Sequence, residues 1–387
     1  MKPRYIIDMD RLEATAKTAR ANADRLGVHL LMALKSFPLP AAFPAIAPYV
    51  EGVTASGLYE ARLAAAMGRP VHVHAPAYSD DEIDDICAAC GHVVFNSLGQ
   101  LARFGRRVSE AGASVWLRIN PGFSSADCLK YDPCCPDSRF GVMADELAAA
   151  DPELMSLVEG IHIHALCEGY ADDFAEMVER FTAAFGPCLG SIRWLNLGGG
   201  EVVDDPAFAT PRAVKAVENL KACGGFEVFI EPSEYIVRES GCLETHVLDV
   251  IRRGKKDIAV LDASMSCHAT DILLFDMKPA LRSIVKADGR VFEGEAKESG
   301  RATIFGAVSC LAGDVLGEYS LPAPVDAGDT VVFGGLGSYS FAQLSWFNGI
   351  RHPDIVLTSR AQGERTVRTW GIDDYLREFP CSPGPAE

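Results

Sequence analysis

The chain has 387 residues, more than one average domain and fewer than three, which leaves room for a barrel of roughly 250 residues and a smaller companion. Lysine and arginine total 36 against 53 acids, and the resulting net charge of −17 disfavours nucleic-acid backbones and anionic membranes, leaving a small molecule as the expected partner. Apolar residues make up 48% of the chain, yet no run nears the roughly 20 that span a bilayer and Met1-Lys2-Pro3-Arg4 opens no secretory pattern, so a soluble, cytoplasmic protein with reduced cysteines is expected.

In chain order, residues 4–8 are strand-like and precede a first helix; they are expected to join a β domain built at the other end of the chain. Short β-rich apolar runs follow at 28–35, 50–56, 71–77, 92–97, 114–120, 160–166, 192–200 and 226–233. Between them, stretches such as 58–67, 99–110 and 174–185 space their apolar residues three and four apart, the mark of an amphipathic helix. Eight strand–helix units are what a closed parallel barrel needs. The predicted fold class is therefore α/β, a (β/α)8 TIM-like barrel over 25–235. An open doubly wound sheet alternates in the same way, and the polar residues decide between the two. Lys35, Ser56, Asn96, Arg118, Asn120, His164, the Gly198 to Gly200 run and Glu231 all fall at or past strand C-termini. A barrel gathers all eight such ends at one mouth, whereas an open sheet spreads them along an edge. Beyond 234 the rhythm changes to strand-like pieces at 258–262, 302–308 and 330–333 separated by glycines and turns. These predict a mainly β domain formed by 1–24 and 236–387, with a Pro-rich tail, 380–387, expected to be disordered.

Lys35 ends the run Leu30-Leu31-Met32-Ala33-Leu34, which sets an ammonium at the edge of an apolar strand. Desolvation there favours the neutral amine that attacks an aldehyde, although a lysine that snorkels to water fits the same pattern. Three glycines close the seventh run, where bare amides can approach a phosphate; a tight turn explains them equally well. Glu231-Pro232 ends the eighth, where a carboxylate could keep a pyridine nitrogen protonated, as a pyridoxal electron sink requires, or could form an ordinary salt bridge. His162 and His164 alternate and so share a strand face. A metal pair there would need a third ligand that Glu231 alone could supply, and His164 is read instead as a planar group stacked on a cofactor ring. Cys87 and Cys90 beside His92 lack a second ligand pair, and the adjacent Cys134-Cys135 suits neither a tetrahedral metal site nor an easy disulfide, so no metal is expected.

Several motifs now stand together: Ala33-Leu34-Lys35-Ser36-Phe37, Tyr131-Asp132-Pro133-Cys134 with Ser138-Arg139-Phe140-Gly141-Val142, His164-Ala165-Leu166-Cys167-Glu168, Gly198-Gly199-Gly200 and Glu231-Pro232. Downstream come Cys267-His268 with Asp271, Ser309-Cys310-Leu311-Ala312-Gly313-Asp314 and Phe347-Asn348-Gly349. Through almost its whole length the chain resembles the carboxynorspermidine and carboxyspermidine decarboxylases, within the wider group of ornithine, diaminopimelate and arginine decarboxylases. The resemblance implies a polyamine-pathway enzyme with an alanine racemase-like barrel and a C-terminal β domain, a homodimer with shared active sites that uses pyridoxal 5'-phosphate. It implies that Lys35 carries the cofactor as a Schiff base, His164 stacks on the ring and Glu231 pairs with the ring nitrogen. Gly198, Gly199 and Gly200 with Tyr339 would hold the phosphate. Cys310 would reach a partner copy's site as proton donor, Asp314 would grip a distal substrate amine, and Glu168, Asp271 and Arg139 would line the substrate.

The sequence departs from that family at Glu201-Val202, where a His pair is usual, and at Ala269-Thr270, where Met-Pro is usual. Leu273, Leu274, Phe275 and Lys278 stand where aromatic and basic residues are expected. A related amino acid of specialised metabolism is therefore an alternative substrate. An amino-acid racemase on the same barrel would place an arginine rather than Glu231 at the ring nitrogen, and a non-catalytic pyridoxal phosphate carrier would lack the second domain.

Overall fold

The computed structural model describes residues 2–126, 129, 132–297 and 301–379; Tyr131 and the tail 380–387 lie outside them. The chain divides into two compact units, Glu13–Ile236 and Met1–Leu12 with Val237–Glu387.

Strand β1 (Arg4–Asp8) and the helix Met9–Leu26 lead into eight short parallel strands: β2 (His29–Ala33), β3 (Gly52–Ala55), β4 (Val71–His74), β5 (His92–Phe95), β6 (Ser114–Arg118), β7 (Gly160–His162), β8 (Trp194–Asn196) and β9 (Glu227–Ile230). They close into a barrel in which β2 pairs with β9 through His29↔Phe229 and Leu30↔Ile230. All eight anticipated strands are present. Every residue of β3 and β6 is buried, because helices cover the barrel outside while side chains fill it inside; this is why the strands read as unbroken apolar runs. Leu31, Val94, Trp116 and Phe229 pack the interior with Trp194 against them. Gly160 is glycine because a Cβ there would press into the Trp116 ring. The helix Leu98–Glu110 is capped by Ser97, which accepts from Gln100 N, and buries Leu101, Phe104 and Val108. Each such large apolar side chain contributes roughly 1.5–3 kcal/mol.

Among the described residues the other unit holds a ten-stranded mixed sheet. Its further strands are β10 (Gly241–Arg253), β11 (Lys256–Leu261), β12 (Ala280–Val285), β13 (Val291–Glu293), β14 (Arg301–Gly306), β15 (Val315–Leu321), β16 (Thr330–Gly334), β17 (Asp354–Ser359) and β18 (Gly363–Arg368). The order is β13-β12-β16-β10-β1-β17-β18, with β11, β14 and β15 branching from β10. Strand β1 does enter this sheet, antiparallel to β10 and parallel to β17, and Arg4 ties it down through Glu244 at 2.7 Å and Glu364 at 2.9 Å. The division at Leu12/Glu13, rather than at 24/25, reflects the face of the first helix. Ala16, Ala19, Ala23 and Leu26 are buried, and Asn22 Nδ2 donates to Val203 O at 3.0 Å and Asp205 O at 2.8 Å, holding the helix to a loop of the barrel unit.

Candidate active site

The barrel strands end earlier than the apolar runs do, since the chain leaves the ladder as it crosses the rim. Glu231, one residue past β9, keeps a side chain 15% exposed. Its Oε2 accepts from Asn196 Nδ2 at 2.9 Å, and its Oε1 lies 3.1 Å from His162 Nε2. Burial alone would raise its pKa, but the hydrogen bonds from His162 and Asn196 hold it well below the usual carboxylate range. Burial also keeps His162 below its ordinary value, so this imidazole is neutral at pH 7 and donates through Nε2–H. On its far side His162 stacks with His74, centroids 4.9 Å apart, and His74 Nε2 is 3.4 Å from Arg118 Nη1. Arg118 is buried, which lowers it to about 10, and it remains a cation near neutrality.

His164 lies two residues beyond the end of β7, outside its ladder, and both it and His162 feel the charges of Lys35 and Arg118. Gly199 N–H donates to His164 Nδ1 at 3.1 Å, which places the imidazole proton on Nε2. Burial, then the Lys35 and Arg118 charges, keep this ring neutral. The glycine run owes its composition to backbone crossing. Gly198 has φ 85° and Gly200 φ 101°, and a Cβ on Gly199 would sit 2.6 Å from Glu231 O. Two of the three amides expected to face a phosphate are already committed, Gly198 N–H to Asn196 Oδ1 at 2.8 Å and Gly199 N–H to His164. Gly198 O in turn accepts from Glu231 N at 2.7 Å. The run thus fixes His164 and Glu231, and of its amides only that of Gly200 has no acceptor among the described residues.

Lys35 sits in the 3-10 turn Leu34–Ser36 after β2, its side chain exposed; the desolvation expected at an apolar strand edge is not supplied by this unit. Its charge is felt by His74, His162 and His164, which places it at the same mouth. Arg139 is exposed with its guanidinium 4.3 Å over the Phe140 ring, and its carbonyl accepts from Asn96 Nδ2 at 2.7 Å. Cys134 Sγ donates to His164 O at 3.3 Å, and burial pushes its thiol up to about 12. Glu168 is exposed and left-handed, φ 52°. Glu201, singled out only as a departure, is fully buried, and neither oxygen reaches a partner on another residue. Burial, opposed by its own backbone amide and reinforced by the Glu231 charge, pushes it well above the usual range, so it is a neutral acid.

In the β-rich unit, Cys310 is exposed and its N–H donates to Asn348 Oδ1 at 2.8 Å. Asn348 is itself left-handed, φ 56°. Asp314, 3% exposed, accepts at Oδ1 from Met265 N at 2.7 Å and Ser266 N at 3.3 Å. At Oδ2 it accepts from Ser264 Oγ and Ser309 Oγ, both at 2.6 Å, and from Ser266 Oγ at 2.9 Å. Five donors converge on this carboxylate, so it anchors the cysteine loop to residues 264–266. Cys267 Sγ donates to Phe347 O at 3.3 Å, so the three downstream motifs converge on one another. Asp271 lies half-buried in the first turn of Thr270–Leu274. Tyr339 is half-buried with φ 55°, a left-handed conformation that non-glycine residues rarely hold.

Among the described residues no helix is long and apolar enough to cross a membrane, and no three His, Cys, Asp or Glu side chains gather as a metal would require. Residues 5–337 match the family described as pyridoxal-dependent decarboxylase, C-terminal sheet domain. The carboxynorspermidine/carboxyspermidine decarboxylase of Campylobacter jejuni is 32% identical over 96% of this chain and 97% of its own. The carboxyaminopropylagmatine decarboxylase of Synechocystis is 31% identical over 96% of this chain and 94% of its own. A crystal structure of the Campylobacter jejuni carboxynorspermidine decarboxylase complexed with norspermidine superposes with a TM-score of 0.86 at 30% identity, covering 98% of this chain and 100% of that one.

Proposed function

This chain belongs to the pyridoxal-dependent decarboxylase family, and from that premise we propose that it decarboxylates an amino acid bearing a distal amine, such as carboxynorspermidine or carboxyspermidine, with pyridoxal 5'-phosphate carried on Lys35. The observation that carries the reading is the ionised Glu231, held by Asn196 and His162 at the barrel mouth that Lys35 also occupies. When bound, the cofactor supplies an electron sink for the charge left as carbon dioxide departs. Glu231 keeps a proton on the ring nitrogen, and an anion there suits decarboxylation, whereas a racemase is served by an arginine. His164, its tautomer set by Gly199, offers a neutral planar face. Lys35 would hold the cofactor through its side-chain amine. The phosphate would rest on the glycine run at Gly200, with Gly198 and Gly199 acting through Glu231 and His164. A non-catalytic carrier would have no use for the β-rich unit, and in a cytoplasmic homodimer Cys310 of one copy would protonate the α-carbon in the other.

Asp271, Glu168 and Asp314 are the candidates for the distal cation, with Asp314 already hydrogen-bonded by five donors. Ala269-Thr270 beside Asp271, with Leu273, Leu274, Phe275 and Lys278 beyond it, favours a second reading in which the substrate's tail differs from that of carboxynorspermidine. The test is carbon dioxide release from carboxylated triamines, carboxyaminopropylagmatine and basic amino acids, with borohydride trapping of the cofactor. Turnover of one of these together with a pyridoxyl mass on the Lys35 peptide is expected; absence of that mass overturns the reading.

A further inference from the structure

We infer that Ser36 and Ser233 are positioning residues, a two-hydroxyl clasp that sets the Lys35 amine against Glu231. The inference rests on Lys35 being the amine that carries the cofactor. Lys35 is exposed and long, so its aim depends on the turn beneath it. Ser233 Oγ donates to Ala33 O at 2.6 Å, at the last residue of β2. That bond uses the only proton of the Ser233 hydroxyl, leaving its oxygen to accept from Ser36 Oγ, with which it is paired. Ala33 and Ser36 flank Lys35 on both sides, so a single side chain grips both ends of its turn. Ser36 is 0% and Ser233 6% exposed, so water does not compete for either hydroxyl.

Ser233 also stands two residues beyond Glu231, whose N–H is fixed to Gly198 O at 2.7 Å. A short path of covalent and hydrogen bonds therefore runs from the Lys35 turn through Ser36 and Ser233 to Glu231 and the glycine run. Glycine or alanine at 233 would leave Ala33 O and the Ser36 hydroxyl without their partner, and the turn would relax to satisfy them. A displacement of a fraction of an ångström in a reacting group is enough to slow turnover without weakening substrate binding.

The test compares wild type with Ser233→Ala, Ser36→Ala and the double variant, each purified with pyridoxal phosphate. Ser233→Ala should lower kcat about tenfold with KM held within about twofold, and should move the midpoint of the cofactor's pH-dependent absorbance by about one unit. The double variant should be no worse than Ser233→Ala, because Ser36 acts through Ser233. Ser36→Ala keeps the Ser233–Ala33 bond; it should fold even where Ser233→Ala does not, and should give a smaller shift in the same direction. A lowered Tm with unchanged kcat and absorbance midpoint in either folded variant would reduce the clasp to packing and overturn the inference. Wild-type protein with no pyridoxyl mass on Lys35 would instead overturn the functional reading beneath it.

Discussion

Asn196→Asp changes one atom beside Glu231 and almost nothing in volume. In the native site Asn196 Nδ2 donates to Glu231 Oε2 at 2.9 Å, while its Oδ1 is fixed by Gly198 N–H at 2.8 Å, so the amide cannot turn over. In the variant the Gly198 bond survives and an oxygen faces the carboxylate. Losing a hydrogen bond to a buried ion costs about 1.5–3 kcal/mol, which raises the Glu231 pKa by about one to two units at 1.36 kcal/mol each. The new negative charge adds to that shift, and the pair holds one proton between them to higher pH. Glu231 has a depressed folded-state pKa, so its contribution to stability is present above the ordinary glutamate pKa and lost as pH falls through the depressed value. In the variant the folded-state value lies closer to the ordinary one, so the contribution is smaller and is exhausted at a higher pH, and the acid limb of the kcat profile moves up with it. We expect kcat to fall by up to about 10- to 100-fold on the acid side, by the same conversion, with a small change at neutral pH where Glu231 stays ionised and with cofactor still trapped on Lys35. The assay is a pH–rate profile beside thermal unfolding at pH 5 and pH 7. A folded Asn196→Asp protein with wild-type kcat and an unmoved acid limb would refute the reasoning.

Glu201→Gln should stabilise the protein at alkaline pH. The raised folded-state pKa of Glu201 means its contribution is complete below the ordinary glutamate pKa and is lost as pH rises; the stability gain should therefore be larger at pH 8 than at pH 5, reaching about 1–3 kcal/mol, and an equal Tm difference at the two values would count against a buried neutral acid. Asp314→Asn sets an amide group against five converging donors, so Tm should fall, by about 1.5–3 kcal/mol or more in stability; a KM increase at unchanged Tm would assign Asp314 to the substrate. Lys35→Ala and Cys310→Ala subunits, each inactive alone, should recover part of the activity on mixing, and no recovery after verified subunit exchange would remove the shared site.

The barrel was legible because burial on both strand faces writes a continuous apolar run, and eight such runs separated by helical spacing admit few folds. The rim was less so. The run 160–166 carries no mark showing that the ladder stops at His162, so the partners that fix each ring could not be read from it. In the structure His162 turns to Glu231 while His164 is turned by Gly199, a residue 35 positions away. The same limit explains the glycines and Asp314. Composition shows that Gly198 to Gly200 need close approach or unusual φ, but whether the neighbour is a phosphate or another strand's carbonyl depends on contacts with residues 163–166 and 231. Asp314 reads as a free anion near a cysteine motif, since its donors come from 264–266 and 309, segments joined only by folding. Glu231 could be singled out because a carboxylate after Val228-Phe229-Ile230 has no packing reason to be there. Asn196 could not, because an asparagine two residues before a glycine turn already has an ordinary backbone role. Its second bond, to Glu231, turns that turn residue into the support of an ion, and residue type alone does not separate the two.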